Sequence, residues 1–287
     1  MNNASVILKT AAPAKINLSL KLVGKRQDGY HLLDSIFVPV NSLADDITIT
    51  LSHGDKSVTI SSNLAEMTDA ANNLCSKAAE KYFKMTGIDV NCNIDLQKKI
   101  PIGAGLGGGS SDCAAVLKLL NSHYQKLTEK ELHELALSLG ADVPFFLVNK
   151  ISHVTGIGEN IVPFECPASL HILIFSPYFS ISTPWAFKHI DPSVIGEDSS
   201  NSSSNIINAL QNDDVMTASK YLKNDFETLL FSKFPAYLIW KKELLDLHAL
   251  HVGISGSGSS FFALFANMAD LENAKEKFSC KYKMFFK

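Results

Sequence analysis

What this chain of 287 residues lacks already narrows its function. Its five cysteines, Cys75, Cys92, Cys113, Cys166 and Cys280, are odd in number and scattered, with no Cys-x-x-Cys pair, which argues against a disulfide framework and against a thiolate zinc site. The nine histidines include no His-Glu-x-x-His, so no metal ligand is assigned. Beyond the pair Lys98-Lys99 there is no basic block, and a formal net charge of −3 argues against a nucleic-acid partner. No apolar run is long enough to span a bilayer, so no membrane partner is expected. The start, "MNNASVILKTAAPAK", holds only Val6, Ile7 and Leu8 as an apolar run, too short for a signal-peptide core. A soluble, reduced, cytoplasmic protein is expected.

What is present alternates between two periods. "DITITLS" (Asp46 to Ser52) and "SVTIS" (Ser57 to Ser61) have the period of half-buried strands, and His53-Gly54-Asp55 between them predicts a hairpin turn. "VNCNIDL" (Val90 to Leu96) is a further strand. Helices are predicted over Asn73 to Met85, Ser111 to His123, and Thr128 to Leu139. The last has Thr128 and Glu131 spaced as a capping box and Gly140 placed to end it. The Ser-rich stretch Asp191 to Asn205 reads as an exposed loop or a hinge. Helical patterns follow near Val215 to Phe226, Pro235 to Leu250 and Ala269 to Phe278, and "HVGISGSGSSFFALFA" reads as strand, Gly/Ser loop, strand. Strands and helices mix without regular βαβ alternation, so the fold class is α+β.

The stretch "IPIGAGLGGGSSDCAAVLKLLN" (Ile100 to Asn121) packs five glycines into seven residues and then turns helical. Glycine loses the most backbone freedom on folding, so such a cluster marks a backbone that must approach something closely, and a phosphate is the natural candidate. A Walker A loop would end in Gly-Lys-Ser/Thr, and no Lys is present here. Gly103-x-Gly105-x-x-Gly108 matches the dinucleotide fingerprint, but the preceding strand alternates and the acids some distance on, Glu129 and Glu131, sit in a helix. The His-Arg-Asp and Asp-Phe-Gly companions of a protein kinase are missing. What survives is shared physics: glycine N–H groups forming an anion nest, a helix N-terminus aimed at the same spot, and Ser110 and Ser111 hydroxyls for phosphate oxygens or a metal-bound water. The alternative is a flexible loop with a serine N-cap.

"PIGAGLGGGSS" resembles the phosphate loop of the GHMP kinases, small-molecule kinases named for galactose, homoserine, mevalonate and phosphomevalonate. "PAKINLSL" (Pro13 to Leu20), "RQDGYHLLDSIF" (Arg26 to Phe37), "LGADVPFFL" (Leu139 to Leu147) and "GISGSGSSFFALF" (Gly253 to Phe265) occur in the order that family shows. The Asp-Gly-Tyr-His element is the most specific, and it is similar to the branch acting on a cytidyl diphosphate sugar alcohol in the non-mevalonate route to isopentenyl diphosphate. The resemblance implies a two-lobed α+β fold with mixed and antiparallel sheets and the active site in the interlobe cleft. It implies an N-terminal nucleotide-binding domain over 1–163 and a C-terminal domain over 164–287 that completes the substrate site. The implied reaction transfers the ATP γ-phosphoryl to a substrate hydroxyl, with ATP as co-substrate, Mg2+ as its counter-ion, and a monomer or weak homodimer as the working form.

In these roles the resemblance implies Asp142 as the base that takes the hydroxyl proton, with Pro144 biasing Val143 towards extended geometry and so fixing the turn. Lys15 is its implied partner; taken alone, it reads more readily as a surface lysine on an edge strand. Pro101, Ile102, Gly103, Ala104, Gly105, Leu106, Gly107, Gly108, Gly109, Ser110 and Ser111 would hold the phosphates of ATP. Lys98 would lie near phosphate, and Asn73 and Leu74 near adenine. Tyr30 and His31 would hold the cytosine, with Phe187 closing its other face and Trp185 a rival for that place. Asn17, on the face of its strand that Lys15 shares, and Thr183 are the polar contacts to substrate. Asp112 is not assigned as a metal ligand. The second glycine loop, Gly253 to Ser260, is either a neighbour of the phosphate loop or a plain strand-to-strand turn.

Overall fold

Two strands far longer than the usual five or six residues organise the chain: β1 (Val6–Lys25) and, after a tight turn at Arg26 to Tyr30, β2 (His31–Ser52). The computed structural model describes residues 5–54, 56–196, 202–282 and 285–286. Residues 1–4, Asp55 of the expected hairpin turn, and 197–201 of the Ser-rich stretch lie outside the described residues. Every residue from Ala14 to Leu22 is buried, the polar ones included, so the alternation of "AKINLSLKL" marks two different covered faces rather than one wet and one dry. The chain forms two compact units: one of 1–14, 40–100 and 107–149, the other of 15–39, 101–106 and 150–287.

In the first unit β3 (Val58–Ser62) is followed by a 3-10 turn at Ala65–Met67, α1 (Leu74–Thr86) and β4 (Asn91–Gln97). β4 pairs parallel with β3, Val58 opposite Cys92, and antiparallel with β2, Asp46 opposite Gln97. The hairpin expected between Asp46–Ser52 and Ser57–Ser61 is therefore not formed, because β4 lies between the two strands. The reason is α1: it supplies the crossover that a parallel pair requires and buries Cys75, Ala78, Ala79 and Tyr82. Asn73 caps it, its side chain accepting from Cys75 N. α2 (Gly108–Tyr124) packs on α1 and on α4 (Val143–Val148), with α3 (Glu129–Leu137) between them in the chain. The Thr128–Glu131 capping box is present in both directions. α3 ends at Ser138, before Gly140.

In the second unit the start of β2 pairs with β5 (Ser152–Gly156), Leu33 opposite Gly156, and β5 pairs with β6 (Asn160–Pro163). A separate antiparallel sheet runs in the order β10-β7-β9-β8, from β7 (His171–Ser176), β8 (His251–Ile254), β9 (Phe261–Phe265) and β10 (Phe285–Phe286). The helices of this unit are α5 (Thr183–His189), α6 (Ser202–Gln211), α7 (Val215–Ser219), α8 (Glu227–Lys233), α9 (Ala236–Asp246) and α10 (Met268–Lys281), of which α9 and α10 pack on this sheet. The Ser-rich stretch thus ends inside α6 rather than in a loop. Its core stacks Trp240 on Phe261 and Phe261 on Phe175, ring centroids 5.4 and 4.8 Å apart. Such aromatic pairs add roughly 1 kcal/mol each beyond the area they bury.

The single helix expected over Val215 to Phe226 is instead α7 followed by a clip onto β1. Leu20 N donates to Lys223 O and accepts, through Leu20 O, from Asp225 N, while the Asp225 carboxylate accepts from Leu22 N. Those long-range bonds outcompete helical continuation past Ser219. The architecture is α+β with mixed and antiparallel sheets, and among the described residues no helix is long and apolar enough to cross a membrane.

Candidate active site

Gly103, Gly105 and Gly107 all adopt the left-handed region, with φ of 64, 77 and 71°. Within the loop, Pro101 to Leu106 belong to the second unit and Gly107 onward to the first. α2 opens at Gly108, earlier than expected, with Gly107 as an N-cap that has no side chain to offer. Ser110 and Ser111 therefore lie inside the first turn and do not cap it. Ser111 N bonds Gly107 O, and the N–H groups before it, which no side chain caps, would face an anion together with the positive end of the helix dipole. Gly105 is constrained on its other side, since a Cβ there would stand 2.2 Å from Ser255 O and 2.9 Å from Gly258 O.

The second glycine loop accordingly combines the two roles held open for it: it joins β8 to β9, and it packs against the first loop. Ser255 Oγ donates to Gly105 O at 2.9 Å, Ser260 N to Ala104 O at 2.9 Å, and Asn224 Nδ2 holds Ile254 O and Gly256 O at 2.7 and 2.9 Å. Sequence reasoning missed Ser255 and Asn224. Nothing local marks Asn224, which sits in a stretch with helical periodicity.

Lys15 is not a surface lysine: only 4% of it is exposed. Its backbone N donates to Leu106 O at 2.9 Å, and its ammonium donates to Asn17 Oδ1 at 2.6 Å and lies 4.5 Å from the centre of the Phe37 ring. Asn17 Nδ2 donates to Ser35 Oγ, and Asn17 N to Ser255 Oγ. The Asn17 amide is thus engaged inside the protein. Tyr30 is well exposed at the tip of its turn, where Arg26 N donates to Tyr30 O and Gly29 takes a φ of 92°. His31 lies 5.1 Å from the Phe187 ring, while Trp185 stacks on His189 at 4.7 Å. Of the two rivals, Phe187 is the one beside His31. Burial, followed by the Lys25 charge, lowers the His31 pKa, which favours a neutral ring. Thr183 opens α5, its hydroxyl 3.0 Å from Ser257 Oγ.

In the first unit Asp142 occupies the N-cap position of α4, and its carboxylate does not cap that helix. Val143 is the first helical residue, not an extended one, because Pro144 falls in the first turn, where a proline ring is tolerated. The turn is held by Val143 N donating to Gly140 O at 3.1 Å. Asn73, expected near adenine, uses its amide on Cys75 N and Met67 O, and Leu74 approaches Gly109.

The Lys98 ammonium, expected near phosphate, is buried between two carboxylates: it bonds Asp45, and Asp112 at 2.7 Å. It still borders the loop, since a Cβ on Gly108 would stand 3.2 Å from Lys98 Nζ. Burial alone would lower the Lys98 pKa, but Asp112 and Asp45 outweigh it and hold it up. Asp45 also accepts from Lys99 N and Ile100 N, fixing the strand end that leads into the loop. Burial, opposed by Lys98 and reinforced by Asp45, raises the Asp112 carboxyl to about 7. An unfolded aspartate ionises near pH 4, so the stability that Asp112 contributes is greatest below that and is lost as pH rises through about 7. An amide in its place has no such proton to lose. The melting temperature of Asp112→Asn is therefore expected to gain on the wild type by several degrees between about pH 5 and about pH 8; a difference flat in pH excludes the shift.

The family model of the GHMP kinases N terminal domain matches residues 73–150, and that of the GHMP kinases C terminal matches residues 206–283. A protein of Chlorobium phaeobacteroides (strain BS1) named 4-diphosphocytidyl-2-C-methyl-D-erythritol kinase is 39% identical over 274 residues, covering 94% of this chain and 93% of its own length. One of the same name from Clostridium kluyveri (strain ATCC 8527 / DSM 555 / NBRC 12016 / NCIMB 10680 / K1) is 37% identical, covering 96% and 97%. A crystal structure of 4-(cytidine 5'-diphospho)-2C-methyl-D-erythritol kinase matches with a TM-score of 0.80 at 32% identity, over 97% of this chain and 98% of that one.

Proposed function

The chain belongs to the GHMP kinases and, within them, to the family of 4-diphosphocytidyl-2-C-methyl-D-erythritol kinases, and from that premise we propose its reaction and the residues that perform it. It is an ATP-dependent small-molecule kinase that phosphorylates the 2-hydroxyl of 4-diphosphocytidyl-2-C-methyl-D-erythritol, releasing the 2-phosphate and ADP, a step of the non-mevalonate route to isopentenyl diphosphate. The observation that carries the choice of substrate is the packing of His31 against Phe187, next in the chain to an exposed Tyr30. Paired rings with a neutral histidine edge suit a pyrimidine base, whereas homoserine or mevalonate offers nothing to stack on.

The loop from Pro101 to Ser111 holds the ATP phosphates through its amides and the start of α2. Asp142 takes the proton of the attacking hydroxyl, and Lys15 stabilises the charge that builds on the transferred phosphoryl. Asn17 acts by holding Lys15, and Thr183 contacts the substrate. Bound magnesium would supply charge neutralisation to the nucleotide phosphates. Ser110 is the hydroxyl that would hold it at the loop; the Asp112 carboxylate bonds Lys98 through one oxygen, and its other, buried oxygen has no hydrogen-bond partner among the described residues. We place the division of labour in an N-terminal domain of 1–163 and a C-terminal domain of 164–287. A monomer or weak homodimer suffices, and the buried free thiols of Cys75, Cys92 and Cys113 suit a reducing cytoplasm.

The test is ADP release with ATP and magnesium, offering the cytidyl diphosphate substrate beside homoserine and mevalonate. Turnover is expected with the first alone, inhibited competitively by cytidine diphosphate. Turnover with either alcohol and indifference to cytidine diphosphate would overturn the substrate.

A further inference from the structure

Lysine has donors and no acceptor, so the Asn17 atom facing the Lys15 ammonium at 2.6 Å must be the carbonyl oxygen. That orientation turns the Asn17 NH2 group to Ser35 Oγ, 3.1 Å away, and obliges the serine to accept. The Ser35 hydroxyl proton is then left to donate, and it does so to Ser19 O at 2.5 Å. Every member is buried: Ser35 and Ser19 are fully covered, Asn17 and Lys15 nearly so. The three bonds run in one direction, from Lys15 to Asn17 to Ser35 to the β1 backbone, and such chains polarise one another.

We propose that Ser35 is a positioning residue for phosphoryl transfer: it locks the amide of Asn17 with its oxygen towards Lys15 and so fixes where the ammonium sits. This rests on the reading that Lys15 serves the transfer. An asparagine amide has two nearly equivalent orientations, and the reversed one would set an NH2 group against the ammonium, donor against donor. Lys15 disfavours that alternative at one end of the amide and Ser35 at the other, because the Ser35 proton is committed to Ser19 O and it can only accept from Asn17. The Phe37 ring bounds Lys15 without choosing between the two orientations. Ser255, which accepts from Asn17 N and donates to Gly105 O, ties the same asparagine backbone to the phosphate loop, so the ammonium and the loop share one reference point.

The test pairs kinetics with a measurement on the resting protein. Ser35→Ala is expected to lower kcat roughly tenfold while the KM of ATP stays within about twofold, since small misplacements of a charge act on the transition state. In a Lys15→Met background the same substitution is expected to change kcat less than about twofold, because residues acting through one another are not additive. In the unliganded protein, 15Nζ spectra are expected to show the Lys15 ammonium protons exchanging about tenfold faster or more in Ser35→Ala. Ser35→Cys, which keeps a weak donor and acceptor, is expected to fall between wild type and Ser35→Ala, and carries the test if the alanine variant does not fold. Equal losses of kcat in both backgrounds, or an unchanged kcat in a folded variant, would overturn the inference. A wild type silent towards the cytidyl substrate would overturn the function reading instead, and the exchange measurement would then still decide whether Ser35 governs Lys15.

Discussion

Asp142→Asn is expected to fold normally and to lose on the order of a hundredfold or more in turnover. Asparagine preserves the shape of the side chain at the N-cap position of α4, and the turn beneath it depends on the backbone bond from Val143 N to Gly140 O, which the substitution leaves alone. What is lost is the negative charge and, with it, the capacity to accept a proton. If that capacity acts only as the hydroxyl attacks, kcat and kcat/KM should fall together while the KM of ATP stays within a few fold. The control is thermal: a melting temperature within a few degrees of the wild type shows that the loss is chemical. A turnover within about threefold of wild type removes Asp142 from the role of base, because general-base catalysis is worth far more than that. A raised KM with unchanged kcat assigns it to ground-state binding instead.

The parts of this site that were legible in the sequence are those written in local chemistry. The glycine cluster announced a backbone that must approach something closely, and Gly105 lies so near the second glycine loop that a Cβ there would stand 2.2 Å from Ser255 O. Thr128 and Glu131 announced a helix start through two side-chain bonds spanning three residues, and both are made. The alternation around Lys15 and Asn17 put both on one strand face, where they now touch.

What stayed hidden depends on partners far away in the chain. Lys98 looked available for phosphate because Asp45 stands 53 residues before it and Asp112 14 after, and no spacing rule links the three. The strand at Ser57–Ser61 had a turn signal pointing to β2, but period-two alternation does not specify a neighbour, and α1 delivered β4 into that place. Asn224 sat in helical periodicity that its bonds to Ile254 O and Gly256 O overrode. Val143 looked extended because it precedes a proline; a helix beginning at that residue places the proline where its missing N–H is harmless.

Gly105→Ala tests how far the phosphate loop depends on its neighbour. Two costs add at this position. An L-residue at φ +77° pays about 1–2 kcal/mol for the left-handed region. The Cβ would also stand 2.2 Å from Ser255 O, so roughly 1 Å of movement is required before ordinary contact is restored. The obstacle is backbone, and it is anchored: Ser255 N donates to Ser260 O, and Asn224 Nδ2 holds the carbonyls of Ile254 and Gly256. The phosphate loop must therefore give way, and displacement of that order at a positioning element costs about a hundredfold in rate. Gly87→Ala is the control, since Gly87 has a φ of +70° with nothing within 4 Å of its added Cβ. It carries the backbone cost without the clash, at the end of α1 and away from the loop. Gly87→Ala is expected to lose about 1 kcal/mol of stability and no activity, and Gly105→Ala to lose more stability together with about a hundredfold in kcat/KM for ATP. Equal behaviour of the two variants would mean that the contact between the glycine loops does not hold the phosphate loop in its working position.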